Sequence, residues 1–200
     1  MGKLTLEEYA ENYLLPFEYL SRLGCRTHWI NGVIIPYYIK KNEGTITAKV
    51  ITHKEHYWLF AGHTWKDTPI EIAYGEWKLP EYWPTDIILA NSEPETQILW
   101  YAGFQAVYFP SMITLGKLYR FKLDAFKKIY FYRRLEEFKT IAKSSFKNQV
   151  RYMPPVQKID KLIYDLGESL TEFTSYIRGA MQSAWSIEEI EQLTTEDKKQ

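Results

Sequence analysis

Between Lys117 and Arg151 the chain concentrates side chains that could meet phosphate. This stretch holds eleven Lys and Arg against three acids, Asp124, Glu136 and Glu137, a net +8, while residues 1–116 and 152–200 each carry −4. A local excess of that size can neutralise several phosphates. It can equally be one solvated helix face with loop lysines, and composition leaves both open. Lys127 and Lys128 precede an apolar run within it. Arg133 and Arg134 stand at the predicted start of a helix, where guanidinium groups can contact a phosphate directly. The competing assignment pairs both arginines with Glu136 and Glu137 at i,i+3 spacing. The overall charge of zero argues against a strong free-standing DNA binder.

Other chemistries find little support. His28, His53, His56 and His63 are not arranged as metal ligands and are assigned to surface or packing roles. Cys25 is alone, so it forms no internal disulfide, and it lacks neighbours at zinc-ligand spacing. No Gly-rich phosphate loop of Walker or dinucleotide type occurs, and nothing suggests a Ser-His-Asp or Cys-His constellation. The seven Trp, sixteen Tyr and ten Phe are read as core packing in preference to stacking platforms for bases. No apolar run approaches the ~20 residues that span a bilayer. Glu7, Glu8, Glu11 and Glu18 do not fit a signal peptide. A cytoplasmic, reduced setting is expected, with no membrane partner.

The elements that must position these residues change character along the chain. Thr5 and Glu8 form a capping-box pattern ahead of a helix over residues 4–14. A second short helix follows Pro16 and stops at Gly24. The runs GVIIPYYI and GTITAKVIT flank KKNEG as a hairpin, and HYWLFAG is a third strand candidate. Residues 1–84 thus read as a small α+β lead-in subdomain. From Asp86 strands and helices alternate: TDIILA, helix EPETQILWYAG, strand QAVYFP, strand KKIYFY, helix RRLEEFKTIAKSSF, strand QVRYMPP, and a closing helix over about 169–185 that buries Leu170, Phe173, Ile177, Met181 and Ala184. That alternation predicts an α/β domain over 85–188, a mostly parallel sheet flanked by helices on both faces. Residues 189–200 are expected to be a polar tail.

In an open parallel sheet, ligands bind outside the carboxyl ends of the strands. The segment following the first of these strands, NSEPETQILWYAGFQAVYFPS, resembles the opening of the TOPRIM domain in phage- and plasmid-borne relatives of bacterial replicative primases. Those proteins show an apolar strand, Glu-Gly-Glu-x-Asp, an amphipathic helix, a Gly-Phe step, a small-residue strand and Pro-Gly. Asn91 to Glu95 occupy the acidic motif here, Gly103 and Phe104 the Gly-Phe step, and Pro110 and Ser111 the Pro-Gly. Upstream, GVIIPYYI resembles the family's Val-Ile-Pro-Tyr strand and IAYGEWKL its Tyr-Gly turn. Downstream, FTSYIRGAMQSA resembles its closing helix. The resemblance spans about residues 4 to 185 and implies a TOPRIM-like fold.

It also implies a damaged site. The family's first Glu acts as general acid/base, and an Asp-x-Asp pair after the third strand binds magnesium, a hard ion that takes carboxylate and phosphate oxygens. This chain has Asn91 at the first position, and an amide does not titrate. Ser92 replaces Gly, Glu93 keeps one acid, and Glu95 stands in for the Asp. After the third strand comes FYRRLEEF, placing Arg133 or Arg134 where the acids belong. The later Lys-Asp step is loosely echoed by Lys158 to Asp160. The resemblance therefore implies a catalytically degenerate, primase-like accessory factor in DNA replication of a mobile element or phage. It would use no cofactor or metal, and would bind single-stranded DNA or primed template through Lys127, Lys128, Arg133 and Arg134, beside a helicase or polymerase. Two alternatives stand: a divergent magnesium-dependent primase or nuclease using Glu93, Glu95 and Asp160, or a protein-interaction scaffold presenting the Trp- and Tyr-rich segment 57–83.

Overall fold

Thr5 opens the first helix as its sequence context requires. Its hydroxyl accepts from the Glu8 N–H at 3.2 Å and the Glu8 carboxylate accepts from the Thr5 N–H at 2.9 Å, so α1 (Leu6–Asn12) begins with both halves of a capping box. In this computed structural model residues 2–38, 47–60, 63–65, 73–79, 86–110, 126–132, 135–142, 149–154, 156, 158–167 and 169–196 are described. Helix α2 (Phe17–Arg22) follows Pro16. Strands β1 (Arg26–Thr27), β2 (Val33–Tyr37), β3 (Thr47–Ile51), β4 (His56–Phe60) and β5 (His63–Trp65) then form an antiparallel sheet in chain order. The expected hairpin is β2–β3, pairing Ile35 with Lys49 and Tyr37 with Thr47; its turn lies outside the described residues. Strands β1 and β5 were not expected, being only two and three residues long.

The second sheet is parallel, in the order β7-β6-β8-β9, with β6 (Ile87–Ala90), β7 (Ala106–Tyr108), β8 (Ile129–Phe131) and β9 (Val150–Tyr152). Helix α3 (Glu93–Tyr101) connects β6 to β7, and α4 (Leu135–Ala142) connects β8 to β9. Three helices follow: α5 (Ile159–Asp165), α6 (Leu170–Gln182) and α7 (Ile187–Glu196). Alternate strand residues serve opposite faces. Ile88, Ala90, Ala106, Tyr108 and Tyr130 join one apolar cluster with Ile98 and Leu99 of α3 and Phe173 and Ile177 of α6. Ile87, Leu89, Val107, Ile129 and Phe131 join another with Phe138 and Ala142 of α4 and Ile187 and Ile190 of α7. Burial on both faces explains why these strands read as continuous apolar runs. The predicted α/β class, a parallel sheet with helices on both faces, is the observed one. Helices α5 and α7 were not expected, and α7 enters the stretch taken for a polar tail. Of the residues expected to be buried by the closing helix, Leu170 and Met181 on α6 and Ala184 just beyond it are only partly buried.

The lead-in packs directly on the parallel sheet. Leu6 and Tyr9 of α1 and Val33, Ile35 and Tyr37 of β2 belong to the same cluster as Ile88 and Ile98. Tyr74 bridges to the edge strand β7, exchanging backbone hydrogen bonds of 2.8 and 3.0 Å with Tyr108. At Gly75 the backbone turns with φ +97°, and an added Cβ would lie 2.4 Å from the Trp100 ring, which excludes other residues. Within segment 57–83, Trp58 and Tyr74 are 6% and 2% exposed, Tyr57, Leu59, Trp77 and Leu79 are partly buried, and the rest of the anticipated apolar patch falls largely outside the described residues. Among the described residues no helix is long and apolar enough to cross a membrane.

Candidate functional site

The turn between β6 and α3 gathers the motif positions at the carboxyl edge of the parallel sheet. Ser92 caps α3 from an extended backbone, its hydroxyl accepting from the Glu95 N–H at 3.3 Å. The Ser92 carbonyl accepts from the Thr96 hydroxyl at 2.7 Å. Glu93 and Glu95 thereby fall in the first helical turn, where the partial positive charge of the helix terminus favours carboxylates. With Asn91 they line a cleft of about 440 Å³, together with Lys49, His53, His56, Lys158 and Asp160. The cleft sits where an open parallel sheet presents its ligand site.

Glu93 is almost wholly buried, and its carboxylate faces the antiparallel sheet. The Lys49 ammonium, from the middle of β3, donates to both carboxylate oxygens at 2.9 and 3.1 Å. The Tyr37 hydroxyl of β2 donates to the same Oε1. Burial, and then the Glu93 charge, push the Tyr37 phenol well above its ordinary range. Lys49 is itself buried, with its Nζ 5.5 Å from the Trp58 ring centre and 5.8 Å from that of Tyr108. These ring faces offset part of the ammonium's desolvation. His56, at the cleft rim, is pushed below its ordinary value by burial and by Lys49.

Glu95, also buried, faces the parallel sheet. Oε2 accepts from the Asn91 N–H at 3.1 Å and from the Tyr132 hydroxyl at 2.9 Å. Oε1 accepts from the Ile159 N–H at 3.1 Å, at the start of α5. One carboxylate thus ties together the β6 turn, the residue after β8, and α5. Burial, and then Glu95, raise the Tyr132 phenol well above its ordinary range.

No protein-family model matches the chain, and no curated protein matches it in sequence. Solved structures do match. A DnaG primase catalytic domain bound to ssDNA superposes with a TM-score of 0.60 at 13% identity, over 90% of this chain and 71% of that one. A DnaG catalytic core gives 0.62 at 14% identity, over 90% and 73%. The E. coli primase catalytic core gives 0.57 at 14%, over 90% and 73%. The fold is a primase-like TOPRIM fold. Its motif-bearing turn carries Asn91, Glu93 and Glu95 at the carboxyl end of β6.

TOPRIM sites are expected to hold magnesium, and the donors present here can be tested against that ion. Mg²⁺ requires about six oxygens in near-octahedral array. Both Glu93 oxygens already receive an ammonium, and both Glu95 oxygens receive N–H or O–H donors. Asp160 takes an ion pair with Lys158 at 3.5 Å and an N–H from Lys161 at 3.0 Å. Among the described residues no three His, Cys, Asp or Glu side chains converge as a metal site would need. The arrangement does not fit a magnesium ion.

Of the four basic residues, the described structure places Lys127 and Lys128. Lys127 and Lys128 are exposed and precede β8, at the amino end of the parallel sheet. The cleft lies at the opposite end. Arg133 and Arg134 follow Tyr132 in sequence, and they lie outside the described residues, as does their proposed pairing. Glu136 meets Lys139 at 2.7 Å on the exposed face of α4. The histidines His53 and His56, assigned to surface or packing roles, line the cleft. Lys49, Tyr37, Tyr132 and Gln97 were missed. Gln97 is fully buried, accepts from Tyr9 at 2.9 Å and donates to Tyr74 at 2.7 Å. The signal for Lys49 was its alternation with Ala48 and Val50, which face a separate small cluster, so that Lys49 must point the other way.

Proposed function

We propose that this chain is a catalytically degenerate, primase-like TOPRIM protein of the phage and plasmid type. It binds single-stranded DNA or primed template as an accessory factor in the replication of a mobile element, in the cytoplasm, beside a helicase or polymerase. One observation carries the loss of catalysis: within a TOPRIM fold, the retained Glu93 has both oxygens on the Lys49 ammonium, and its neighbour Asn91 cannot exchange a proton. The nucleic-acid role draws on the fold and on the net +8 between Lys117 and Arg151. A neighbour of the same fold was solved bound to ssDNA, and that ligand is transferred here as part of the proposal.

Filter binding of labelled single-stranded DNA across a salt series tests it. Affinity falls log-linearly with salt, by about 0.7 per phosphate contact for a single strand. Reversing Arg133 and Arg134 to Glu weakens binding by roughly ten-fold or more, while reversing Lys127 and Lys128, at the far sheet edge, weakens it less. Absent or salt-independent binding removes the nucleic-acid role. Template-directed primer synthesis with magnesium or manganese gives no product; synthesis that Glu93→Gln abolishes would restore the enzymatic alternative.

A further inference from the structure

We infer that a cavity at the amino edge of the parallel sheet, away from the cleft, binds a nucleotide: a planar heteroaromatic base carrying a phosphate. The cavity has a volume of about 950 Å³ and lies where the end of α3, the short 3₁₀ turn Glu76–Lys78 and α2 meet. That volume is in the range of small-molecule sites. Helix α3 begins at the cleft and ends here, and the described linings of the two share no residue. The inference rests on this cavity and not on the proposed affinity for DNA.

Aromatic rings form much of the lining. Tyr19 of α2 and Tyr101 of α3 have ring centres 5.0 Å apart, and Tyr101 stays 38% exposed. The turn at Gly75 is tight against the Trp100 ring, and it brings Trp77 edge to face with Trp100, at 6.1 Å between centres. Two cations join the rings. Lys78 Nζ lies 4.4 Å from the Trp100 ring centre and 5.3 Å from that of Trp77, which holds the ammonium at the apolar surface. Arg22 lines the cavity from α2, and the bond from its Nε to the Glu18 carbonyl at 3.2 Å is its one hydrogen bond among the described residues. No carboxylate accompanies these two cations among the described lining residues. The last component is an unused donor. Trp100 Nε1 donates to the Ala106 carbonyl at 2.9 Å, which fixes that ring. Trp77 Nε1 is shielded from water and has no acceptor, an arrangement rare in folded proteins. The Trp77 ring can therefore turn without losing a hydrogen bond, and it gains one when a ligand brings an acceptor to its edge.

These features select a chemical class. A bare anion would leave the rings unused, an aliphatic chain would leave both cations unmatched, and a phenyl ring brings no acceptor on its edge. A nucleobase offers two faces for stacking and an edge of ring nitrogens and carbonyls. Its phosphate suits Lys78 and Arg22. The same chemistry arrives either as a free nucleotide or as the 5′-phosphorylated end of a strand.

Isothermal titration of the full chain with AMP, adenosine and inorganic phosphate tests the site. AMP binds one to one, adenosine binds about ten-fold or more weakly, and inorganic phosphate gives no measurable heat. Arg22→Glu, at an exposed position, melts near the wild type and weakens AMP by about ten-fold or more. Trp77→Phe keeps a ring, removes the N–H and weakens AMP and adenosine alike. Should Trp77→Phe lose stability, Arg22→Glu and the ligand series still decide. Competition assigns the source: a 5′-phosphorylated oligodeoxyadenylate that displaces AMP, where its unphosphorylated twin does not, makes a strand end the ligand, and displacement by neither leaves the free nucleotide. Absence of AMP binding at millimolar concentration overturns the inference, as does AMP binding that Arg22→Glu leaves unchanged or that inorganic phosphate reproduces. The titrations with AMP contain no DNA, so failure here and failure of the proposed function remain separate.

Discussion

The two walls of the cleft bury one carboxylate each and stabilise it by different means. On the wall facing the antiparallel sheet, Glu93 is met by a full positive charge from another sheet, Lys49, and by one phenol. On the wall facing the parallel sheet, Glu95 is met by two backbone N–H groups and one phenol. Lys49 is 44 residues from Glu93 in sequence, so the first wall exists only once the two sheets dock. The Asn91 contact of the second wall, by contrast, is made within four residues. An ion pair can be dismantled by mutating either end. A nest of donors degrades one bond at a time.

That difference sets the largest expected effect. Glu93→Gln leaves the Lys49 ammonium buried beside an uncharged amide, and removing one partner of a buried pair costs about 3–5 kcal/mol. Lys49→Met costs a similar amount from the other side. The double variant, an amide against a thioether, recovers much of the loss, because the uncompensated charge is gone from both. Urea denaturation of the four proteins measures the coupling. Additive losses would mean that the two side chains do not sense each other and that the first wall is no ion pair. Glu95→Gln is the matching experiment on the second wall. It exchanges one acceptor for an NH₂ group that must face an N–H or O–H donor, and leaving buried groups unmatched costs about 1–3 kcal/mol. Tyr132→Phe removes a single bond of that nest and costs about 1 kcal/mol. If Tyr132→Phe proved as damaging as Glu93→Gln, the distinction between the walls would collapse.

How much of this was legible in the sequence follows from how local each interaction is. The capping box of Thr5 and Glu8 and the β2–β3 hairpin depend on residues close to each other in sequence. Their patterns were readable, and so was the strand–helix alternation. Helix α5 was missed although Ile159, Leu162 and Ile163 have helical spacing. It is only seven residues long, between the Pro154–Pro155 pair and Gly167, and was absorbed into the approach to the closing helix. Its first turn supplies the Ile159 N–H to Glu95, so missing the helix also hid the second wall. Lys49 was passed over for a different reason. A lysine in a strand ordinarily marks a solvent face, and its burial is fixed only by the docking of one sheet on the other. Lys127 and Lys128 were grouped with Arg133 and Arg134 by closeness in sequence. Lys127 and Lys128 precede β8 and so stand at the amino edge of the sheet, away from the cleft at its carboxyl edge.

A third carboxylate sharpens the contrast at the smallest scale. Glu76, in the short 3₁₀ turn Glu76–Lys78, is partly buried against the lead-in. Burial raises its carboxyl from the ordinary 4.5 to about 7, against the opposing effect of a hydrogen bond from the Ala73 backbone. Burial therefore outweighs the stabilisation of the charged form at Glu76. Because the folded-state value lies above the unfolded one, the folded protein holds its proton more tightly. The resulting stability is fully present below about pH 4.5 and is lost as pH rises toward about 7, beyond which nothing further changes. Glu76→Gln carries no such proton, while every other ionisable group is shared with the wild type. The two proteins should melt together in acid, and the variant should gain a small advantage that develops between these limits and then stays constant. Since Glu76 keeps considerable contact with water, solvent screening holds that advantage well below the losses at Glu93 or Glu95. Paired melting curves from pH 4 to 8 measure it, and a difference that grew toward acid would show that Glu76 is held as a carboxylate after all.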